Sequence, residues 1–292
     1  IIADVDEHKN SLTYALKNGI NLIDTSSNYD DGGSEEVIGQ VVQDTEATIG
    51  RESLVIVSKA GYCQGKNLEK VKEKETKGTP YSEVVKLEDT LYHCIHPVFL
   101  EDQLNSSLAR LQMQTIDIYL LHNPEYSLLL KNGYKKIIEA LKILEIKRKE
   151  KKILFYGIAT WNGFRRLNKS KNQLNIEKIL KDLEHAVGKN HGFKCIEAPL
   201  SLGMPDMLNF KLSKNFNFEN FLKKNKINFF SSASLYEGNL EKLVELNKIY
   251  NSLSLNRDLP NETKKANVSF PESENSLRRL FILLENFRKN NI

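Results

Sequence analysis

The chain of 292 residues contains few cysteines, and the three that it has lie far apart. Cys63, Cys94 and Cys195 form no C-x-x-C pair, which argues against a disulfide-bonded scaffold. A sparse and odd count is typical of a reducing compartment, so we expect a cytoplasmic protein. Because the chain begins with Ile1 and not with Met, import into an organelle after removal of a targeting segment stays open.

The sequence also lacks long hydrophobic runs and a strong excess of one charge. No apolar run approaches the roughly 18 residues that span a bilayer, so we expect no membrane partner. The net charge is only +4, and Lys and Arg are mixed with Glu in stretches such as residues 135–152, which is typical of a solvated helix face. No basic stripe carries interleaved aromatic residues, so no nucleic-acid partner is expected.

Short apolar runs alternate with amphipathic helical runs along the chain. The apolar runs predict β-strands buried on both faces, at residues 20–24, 54–59, 116–122, 153–159, 193–198 and 227–232. The amphipathic runs predict helices at residues 4–17, 35–42, 97–112, 134–151, 174–186 and 218–225. Repeated strand–helix units indicate parallel pairing with right-handed crossovers.

Six such units are too few to close an eight-stranded barrel. We therefore expect an α/β fold of the TIM (β/α)8 barrel type, a single domain over residues 1–292 that lacks the first and last strands at the ends of this chain. Two polar stretches, residues 61–96 and 251–274, are predicted to be surface loops, and residues 275–290 a final helix.

Three of the predicted strands end at a polar group. Asp24, Lys59 and His122 each close an apolar run, and Tyr29 lies five residues past the first of these ends. Taken singly, each is more often a cap, a surface lysine or an ordinary loop residue. In a parallel barrel, however, all carboxyl ends of strands meet at one rim, where such folds keep their chemistry. The pattern therefore favours a joint catalytic site.

These four side chains suit proton donation to a carbonyl oxygen. A free tyrosine, with a pKa of about 10, is a poor acid at neutral pH, and a buried ammonium beside it is expected to lower that pKa. The ammonium needs a carboxylate in order to stay protonated when buried. The imidazole supplies a hydrogen-bonding group for the substrate oxygen. Since none of the four is a reductant, a hydride cofactor is implied.

The segments around these residues resemble the signatures of the aldo-keto reductases. Residues 19–29 (GINLIDTSSNY) and 33–39 (GSEEVIG) are similar to the first signature, and residues 104–111 (LNSSLARL) with 117–124 (DIYLLHNP) to the second. The resemblance implies a (β/α)8 barrel that transfers hydride between NADPH and an aldehyde or ketone, or from an alcohol in reverse. By position, Tyr29 becomes the general acid, Lys59 and Asp24 tune it, and His122 orients the carbonyl.

The resemblance also implies cofactor contacts, although two positions depart from the usual pattern. Ala159 stands where Ser is usual, and Glu197 where Gln is usual. A carboxylate accepts a hydrogen bond from the nicotinamide carboxamide but donates one only when it is protonated. Residues that would hold the adenosine 2′-phosphate fall beyond Ile292. The implied NADPH (NADP+) contacts are Asp24, Thr160, Glu197, Ser232, Ser234, Leu235 and Gly238.

Three aromatic residues just past strand ends, Tyr62, Tyr126 and Trp161, are candidates for the wall of a substrate pocket, with rim packing an equal alternative. His93 and His96 lie in one stretch, but no cysteine or acidic group completes a ligand set, so we expect no metal. A cofactor-binding regulatory subunit and a lyase that uses Lys59 as a Schiff base stay open as alternative functions. The sequence names neither the substrate nor the oligomeric state.

Overall fold

The computed structural model describes residues 4–164, 173–201, 204, 212 and 216–234. Within these residues the strands are β1 (Leu22–Asp24), β2 (Val55–Ala60), β3 (Tyr62–Cys63), β4 (Val85–Glu88), β5 (Leu91–His93), β6 (Ile116–His122), β7 (Ile153–Ala159), β8 (Phe193–Pro199) and β9 (Asn228–Ser232). The helices are α1 (Val5–Lys17), α2 (Gly33–Ile49), α3 (Gly65–Thr76), α4 (Pro97–Leu111), α5 (Gly133–Lys149), α6 (Ile176–Val187) and α7 (Phe218–Asn225).

Six strands form one parallel sheet in the order β1-β2-β6-β7-β8-β9, which curls into a half-barrel. Each of these strands begins and ends within two residues of its predicted position, and the predicted α/β class is confirmed. The positions could be predicted because strands that are covered on both faces appear in a sequence as continuous apolar runs. In the part of the chain that the structure describes, no helix combines the length and apolarity needed to cross a membrane.

Local signals explain where the helices begin and end. The Asp4 carboxylate accepts a hydrogen bond from the backbone N–H of Asp6 at 3.0 Å and caps α1. Gly19, with φ at +92°, turns the chain into β1 just past the end of that helix. The second helix is longer than predicted and continues through polar residues to Ile49, where Gly50 at φ +76° ends it.

The sheet separates two apolar clusters because side chains along a strand alternate between faces. The larger cluster lies between the sheet and the helices and includes Ile56, Tyr119, Leu121, Ile158 and Ile196. The smaller one occupies the opposite, inner face and consists of Val57, Ile118, Leu120, Ala159 and Cys195. The positions two residues after Val57, Leu120 and Cys195 also point inward, and they lie at the carboxyl ends of their strands.

The prediction of a surface loop over residues 61–96 is wrong. This stretch contains α3 and a three-stranded antiparallel sheet in the order β3-β5-β4. Cys63, Val71, His93 and Cys94 are fully buried, and Tyr81 nearly so. The charged residues that suggested a loop lie on the exposed side of α3, whose buried side chains are Leu68 and Val71. Residues 251–274 and 275–290, predicted as a loop and a helix, lie outside the described residues.

Candidate active site

The parallel register brings the predicted strand-end residues to one mouth. Asp24 pairs with Val57 on β2, Lys59 with Leu120 on β6, and His122 with Ala159, which in turn pairs with Glu197 on β8. Because Lys59 is two residues from Val57, and Glu197 two from Cys195, both share the inner face of the sheet. The carboxyl ends of four strands therefore carry the candidate site.

Lys59 lies at the centre of this mouth and is completely buried. Its Nζ donates to Asp24 Oδ2 at 2.5 Å and to the backbone oxygen of Thr25 at 3.1 Å. The Oε2 atom of Glu197 lies 3.5 Å from the same nitrogen. A buried ammonium thus faces two carboxylates, which is the pairing that a buried charge requires.

Tyr29 begins the short 3₁₀ segment Tyr29–Gly32 that follows β1. Its ring centroid lies 5.3 Å from Lys59 Nζ and 6.1 Å from the centre of the His122 ring, which it meets edge-on. The residue is 39% exposed, so its side chain is accessible from solvent. The structure therefore brings together all four side chains that the sequence singled out.

The pKa of Tyr29 is raised, whereas the sequence predicted that it would be lowered. Burial raises the pKa of the phenol, Lys59 lowers it, and the negative charges of Asp24 and Glu197 raise it again, so that the net shift is upward. The pKa of Lys59 is also raised, because Asp24, Glu197 and Tyr29 outweigh the lowering that burial causes. At neutral pH the site therefore holds a neutral phenol and a charged ammonium.

Glu197 adds a second carboxylate that titrates near neutrality. The residue is 8% exposed, and its Oε2 has no hydrogen-bond partner among the described residues. Burial raises the pKa of Glu197, Lys59 lowers it and Asp24 raises it, with a net result of about 7. Glu197 Oε2 is thus ion-paired with Lys59 but makes no hydrogen bond within the described part of the chain, and the carboxyl is neutral or charged according to pH.

His122 is held from two sides. Its Nδ1 lies 3.1 Å from the Ser26 hydroxyl, and its backbone oxygen accepts a hydrogen bond from Nε2 of His93 at 2.7 Å. Burial first, then Lys59 and His93, place the pKa of His122 well below its ordinary value of 6.5. The imidazole is therefore neutral in this site at physiological pH.

The predicted aromatic wall is present in part. The ring of Tyr62 lies 4.7 Å from that of His122, and Tyr126 lies 6.1 Å from Tyr62. The amide of Asn123 donates to the Tyr62 hydroxyl at 2.5 Å and accepts from the backbone N–H of Trp161 at 3.0 Å. Tyr62 and Tyr126 therefore border His122, and the backbone of Trp161 is tied to the same loop.

His93 and His96 both make hydrogen bonds within the scaffold. Besides the contact of His93 with His122, the imidazole of His96 accepts from the backbone N–H of Val98 at 3.3 Å and caps α4. Among the described residues, no group of three or more His, Cys, Asp or Glu side chains could hold a metal ion.

The predicted cofactor residues are distributed unevenly. Thr160 is 4% exposed, and its hydroxyl already accepts from the backbone N–H of Gly163 at 2.8 Å. Ser232 ends β9, and Ser234 is exposed just beyond it. Leu235 and Gly238 lie outside the described residues. Of the predicted set, Asp24 and Glu197 thus contact Lys59 at the mouth, and Oε2 of Glu197 makes no hydrogen bond in the part of the chain that the structure describes.

Two polar groups of the signature-like segments serve the scaffold. Glu35 is fully buried, accepts from the Ser58 hydroxyl at 2.5 Å and pairs with Arg110 Nε at 2.8 Å, which joins α2, β2 and α4. Asp117 binds Arg51 at 2.6 Å at the opposite end of the sheet. Ser26, whose hydroxyl lies 3.1 Å from Nδ1 of His122, was not predicted, because a serine near a strand end carries no pattern that separates it from a loop residue.

Fold and site together define a parallel α/β half-barrel whose strand ends present an ion-paired lysine, a tyrosine and a neutral imidazole. The chain belongs to the aldo/keto reductase family, whose family model matches residues 3–277.

Comparison with individual proteins agrees with this placement. The chain is 33% identical over 104 residues to the NADH-specific methylglyoxal reductase of Escherichia coli (strain K12), covering 36% of this chain and 27% of that protein. It is 25% identical over 161 residues to the "Putative voltage-gated potassium channel subunit beta" of Schizosaccharomyces pombe, covering 55% and 38%. The chain thus spans well under half the length of these two curated relatives.

Solved structures support the fold. The aldo-keto reductase AKR11C1 from Bacillus halodurans, in its holo form, superposes with a TM-score of 0.54 at 16% identity, over 80% of this chain and 59% of that one. The thermostable aldo-keto reductase Tm1743, in complex with the inhibitor epalrestat, gives a TM-score of 0.51 at 21% identity, over 79% and 61%.

Proposed function

We propose that the protein transfers hydride between NADPH and an aldehyde or ketone, or from the corresponding alcohol in reverse. One observation carries this proposal: the buried ammonium of Lys59, paired with Asp24 at 2.5 Å, lies 5.3 Å from the ring centre of Tyr29. The Lys59 cation lowers the pKa of the adjacent phenol against the larger effect of burial, and the phenol at an accessible mouth is placed to donate a proton.

Each side chain has a distinct part in this proposal. Tyr29 donates its proton to the carbonyl oxygen of the substrate. The ammonium of Lys59 stabilises the phenolate that remains, and Asp24 keeps Lys59 protonated. His122 contacts the substrate, and Tyr62 with Tyr126 borders the space that it occupies. A lysine held as an ammonium by two carboxylates is poorly suited to attack a carbonyl, which disfavours a Schiff-base lyase.

The residues at the mouth fit a nicotinamide cofactor. The Oε2 atom of Glu197, which is ion-paired with Lys59 but makes no hydrogen bond among the described residues, is an acceptor for the N–H groups of a carboxamide. The bound cofactor would supply the hydride, which no protein side chain can provide. The name of the E. coli relative specifies NADH, so NADH is the alternative to NADPH in any assay.

Replacement of Tyr29 by Phe tests the proposal directly. We expect kcat for a panel of short aldehydes to fall by about 100-fold or more, since general acid catalysis is lost. Binding of NADPH, followed by its fluorescence, should change little. Tyr14→Phe is the matched control, because Tyr14 is 71% exposed on α1. Full turnover by Tyr29→Phe would contradict the assignment.

A second candidate function is a cofactor-binding regulatory subunit with little turnover, which the similarity to a protein named as a channel subunit favours. Stopped-flow mixing with NADPH and aldehydes separates the two: consumption of NADPH supports the reductase, and binding without consumption supports the subunit.

We further propose a reducing compartment such as the cytoplasm, since Cys63, Cys94 and Cys195 are buried free thiols.

A further inference from the structure

The loop that carries Tyr29 has an unusual backbone conformation. Asp30 and Asp31, which follow the tyrosine, have φ angles of +49° and +54°, and Gly32 has φ +94°. These angles favour glycine, and a residue with a side chain keeps them only where surrounding contacts hold it in place. The placement of Tyr29 beside Lys59 therefore depends on what holds this loop from outside.

Hydrogen bonds tie the loop to the N-terminal end of α3. The backbone N–H of Lys66 donates to Oδ1 of Asp31 at 3.1 Å. The side-chain amide of Asn67 donates to the backbone oxygen of Ser27 at 3.3 Å. One contact precedes Tyr29 in the sequence and the other follows it, so α3 holds the tyrosine loop on both sides.

Asp31 acts as the cap of α3, although it lies 35 residues before Lys66 in the chain. Gln64, the residue at the N-cap position, makes no side-chain capping hydrogen bond, and the first turn of α3 contains no acidic residue. The first N–H groups of a helix lack partners within it and carry partial positive charge, so a carboxylate beside them is stabilising. The loop supplies this carboxylate.

Gly65 provides the space for the capping carboxylate. A Cβ added at Gly65 would lie 1.7 Å from Oδ1 of Asp31, and Gly65 itself has φ +48°. Glycine adopts this angle freely and leaves the space open, whereas any other residue would force the carboxylate to move. The first residue of α3 is therefore matched to the side chain that the loop presents to it.

We propose that Asp31 is a positioning residue, which caps α3 and thereby holds its loop in the conformation that keeps Tyr29 beside Lys59. Because Tyr29 is 39% exposed, burial alone does not fix its place. This inference rests on the proposed function, since it concerns the placement of the proposed proton donor. Proton transfer should fall with the fraction of molecules in which the phenol is in place, whereas cofactor contacts at the other strand ends should persist.

Amide hydrogen exchange of the full chain tests the cap without any turnover. The amide of Tyr29 donates to the backbone oxygen of Ser26 at 3.1 Å, so it is protected while the loop is held. In Asp31→Ala, peptides covering residues 25–32 and 64–70 should exchange about fivefold faster, the effect of one lost hydrogen bond. Peptides from α5 should not change. Unchanged exchange in both regions would overturn the proposal.

Two variants separate the cap from the backbone preference of aspartate. Asp31→Asn keeps an oxygen acceptor and tolerates a positive φ, so exchange should return to the wild-type rate. Asp30→Ala is the matched control, because Asp30 has the same backbone conformation while its Oδ2 lies near Gly33, at the start of α2. Equal acceleration in Asp30→Ala and Asp31→Ala would show that the cap is not what holds the loop.

A substitution on α3 tests the same contact from its other side. Gly65→Ala should displace the Asp31 carboxylate and speed exchange of residues 25–32. In an Asp31→Ala background the same substitution should speed it less, since the displaced group is already gone. Equal increments in the two backgrounds would contradict a contact between the two residues.

Kinetics show whether the cap matters for the proposed reaction. We expect kcat for short aldehydes to fall about fivefold in Asp31→Ala and to recover in Asp31→Asn, while the Kd of NADPH stays unchanged. Faster exchange with an unchanged kcat would overturn the positioning role. If the wild type turns over no aldehyde, the proposed function fails and the positioning role with it, while hydrogen exchange still decides whether Asp31 holds the loop.

Discussion

Replacement of Glu197 by Gln should make the protein more stable, and by an amount that grows with pH. Inside the folded protein the pKa of Glu197 is raised from 4.5 to about 7. Each pKa unit corresponds to about 1.4 kcal/mol, so ionising this carboxyl in the folded state costs about 3 kcal/mol more than in the unfolded chain. Glutamine has nearly the same shape and never ionises.

The sign follows from the direction of the shift. A group whose pKa is raised on folding gives its full stabilisation below its unfolded pKa and loses it as pH rises through its folded pKa. Below pH ~4.5 the carboxyl is protonated in both states, so wild type and Glu197→Gln should unfold with similar free energies. Above pH ~7 the variant should be more stable by up to about 3 kcal/mol.

Urea unfolding between pH 4.5 and pH 8, followed by far-UV circular dichroism, measures this difference as a shift in the transition midpoint. The same exchange at the exposed Glu46 of α2 is the control for a change of one charge. A difference between wild type and Glu197→Gln that stays constant across this range would show that Glu197 does not ionise in a buried environment beside Asp24. The geometry derived for the mouth would then be wrong at this residue.

Three further substitutions probe the site and its support. In a Lys59→Met background, the pH at which Glu197→Gln begins to stabilise the protein in the same urea series should be higher, because the cation that lowers the pKa of Glu197 is gone. An unchanged pH would show that Lys59 does not interact with Glu197. Glu35→Gln should lower the free energy of unfolding in urea by about 3 kcal/mol, since Arg110 loses its buried charged partner. A loss below about 0.5 kcal/mol would show that the pair contributes no more than a solvent-exposed one. Gly39→Ala should cost about 1–3 kcal/mol because an added Cβ would lie 2.7 Å from the Arg110 carbonyl oxygen; unchanged thermal unfolding would contradict this close helix contact.

The sheet could be predicted from the sequence because its strands are short, apolar and buried on both faces. Strands β6 and β7 begin and end at the predicted residues, and the other four differ by two residues or fewer. The helix α2 could not be bounded in this way, since its last turns, residues 43–49, carry polar side chains that hide the apolar stripe. Its end depends on Gly50, whose positive φ becomes visible only in the structure.

The stretch after β2 shows where composition misleads. Charged residues dominate this stretch, yet a few spaced apolar side chains are enough for α3 to pack against β3 and the loop before α2. Leu68 and Val71 lie three residues apart, on one face of a helix, and Val71 belongs to the same apolar cluster as Cys63 and Tyr81. Such sparse patterns resemble those of a solvated helix, and only the tertiary contacts distinguish the two.

The residues of the candidate site that end a strand could be predicted from the sequence. The pKa shifts within the site could not, because they depend on burial and on neighbouring charges. Asp24, Lys59 and His122 each end an apolar run, and this rule alone placed them together. The direction of the pKa shift of Tyr29 required knowledge of burial and of the second carboxylate at Glu197, neither of which a sequence pattern provides.

The hydrogens of Lys59 are outnumbered by the acceptors around it, which leaves the Tyr29 hydroxyl as a donor for a carbonyl oxygen. The ammonium of Lys59 has three hydrogens and four acceptors around it: Asp24, the Thr25 carbonyl, Glu197 and the Tyr29 oxygen. Tyr29 is 39% exposed, so its own hydrogen can point toward the accessible side of the mouth. In the proposed reduction, proton delivery would depend on a phenol whose pKa burial raises, and Lys59 would stabilise the phenolate that remains.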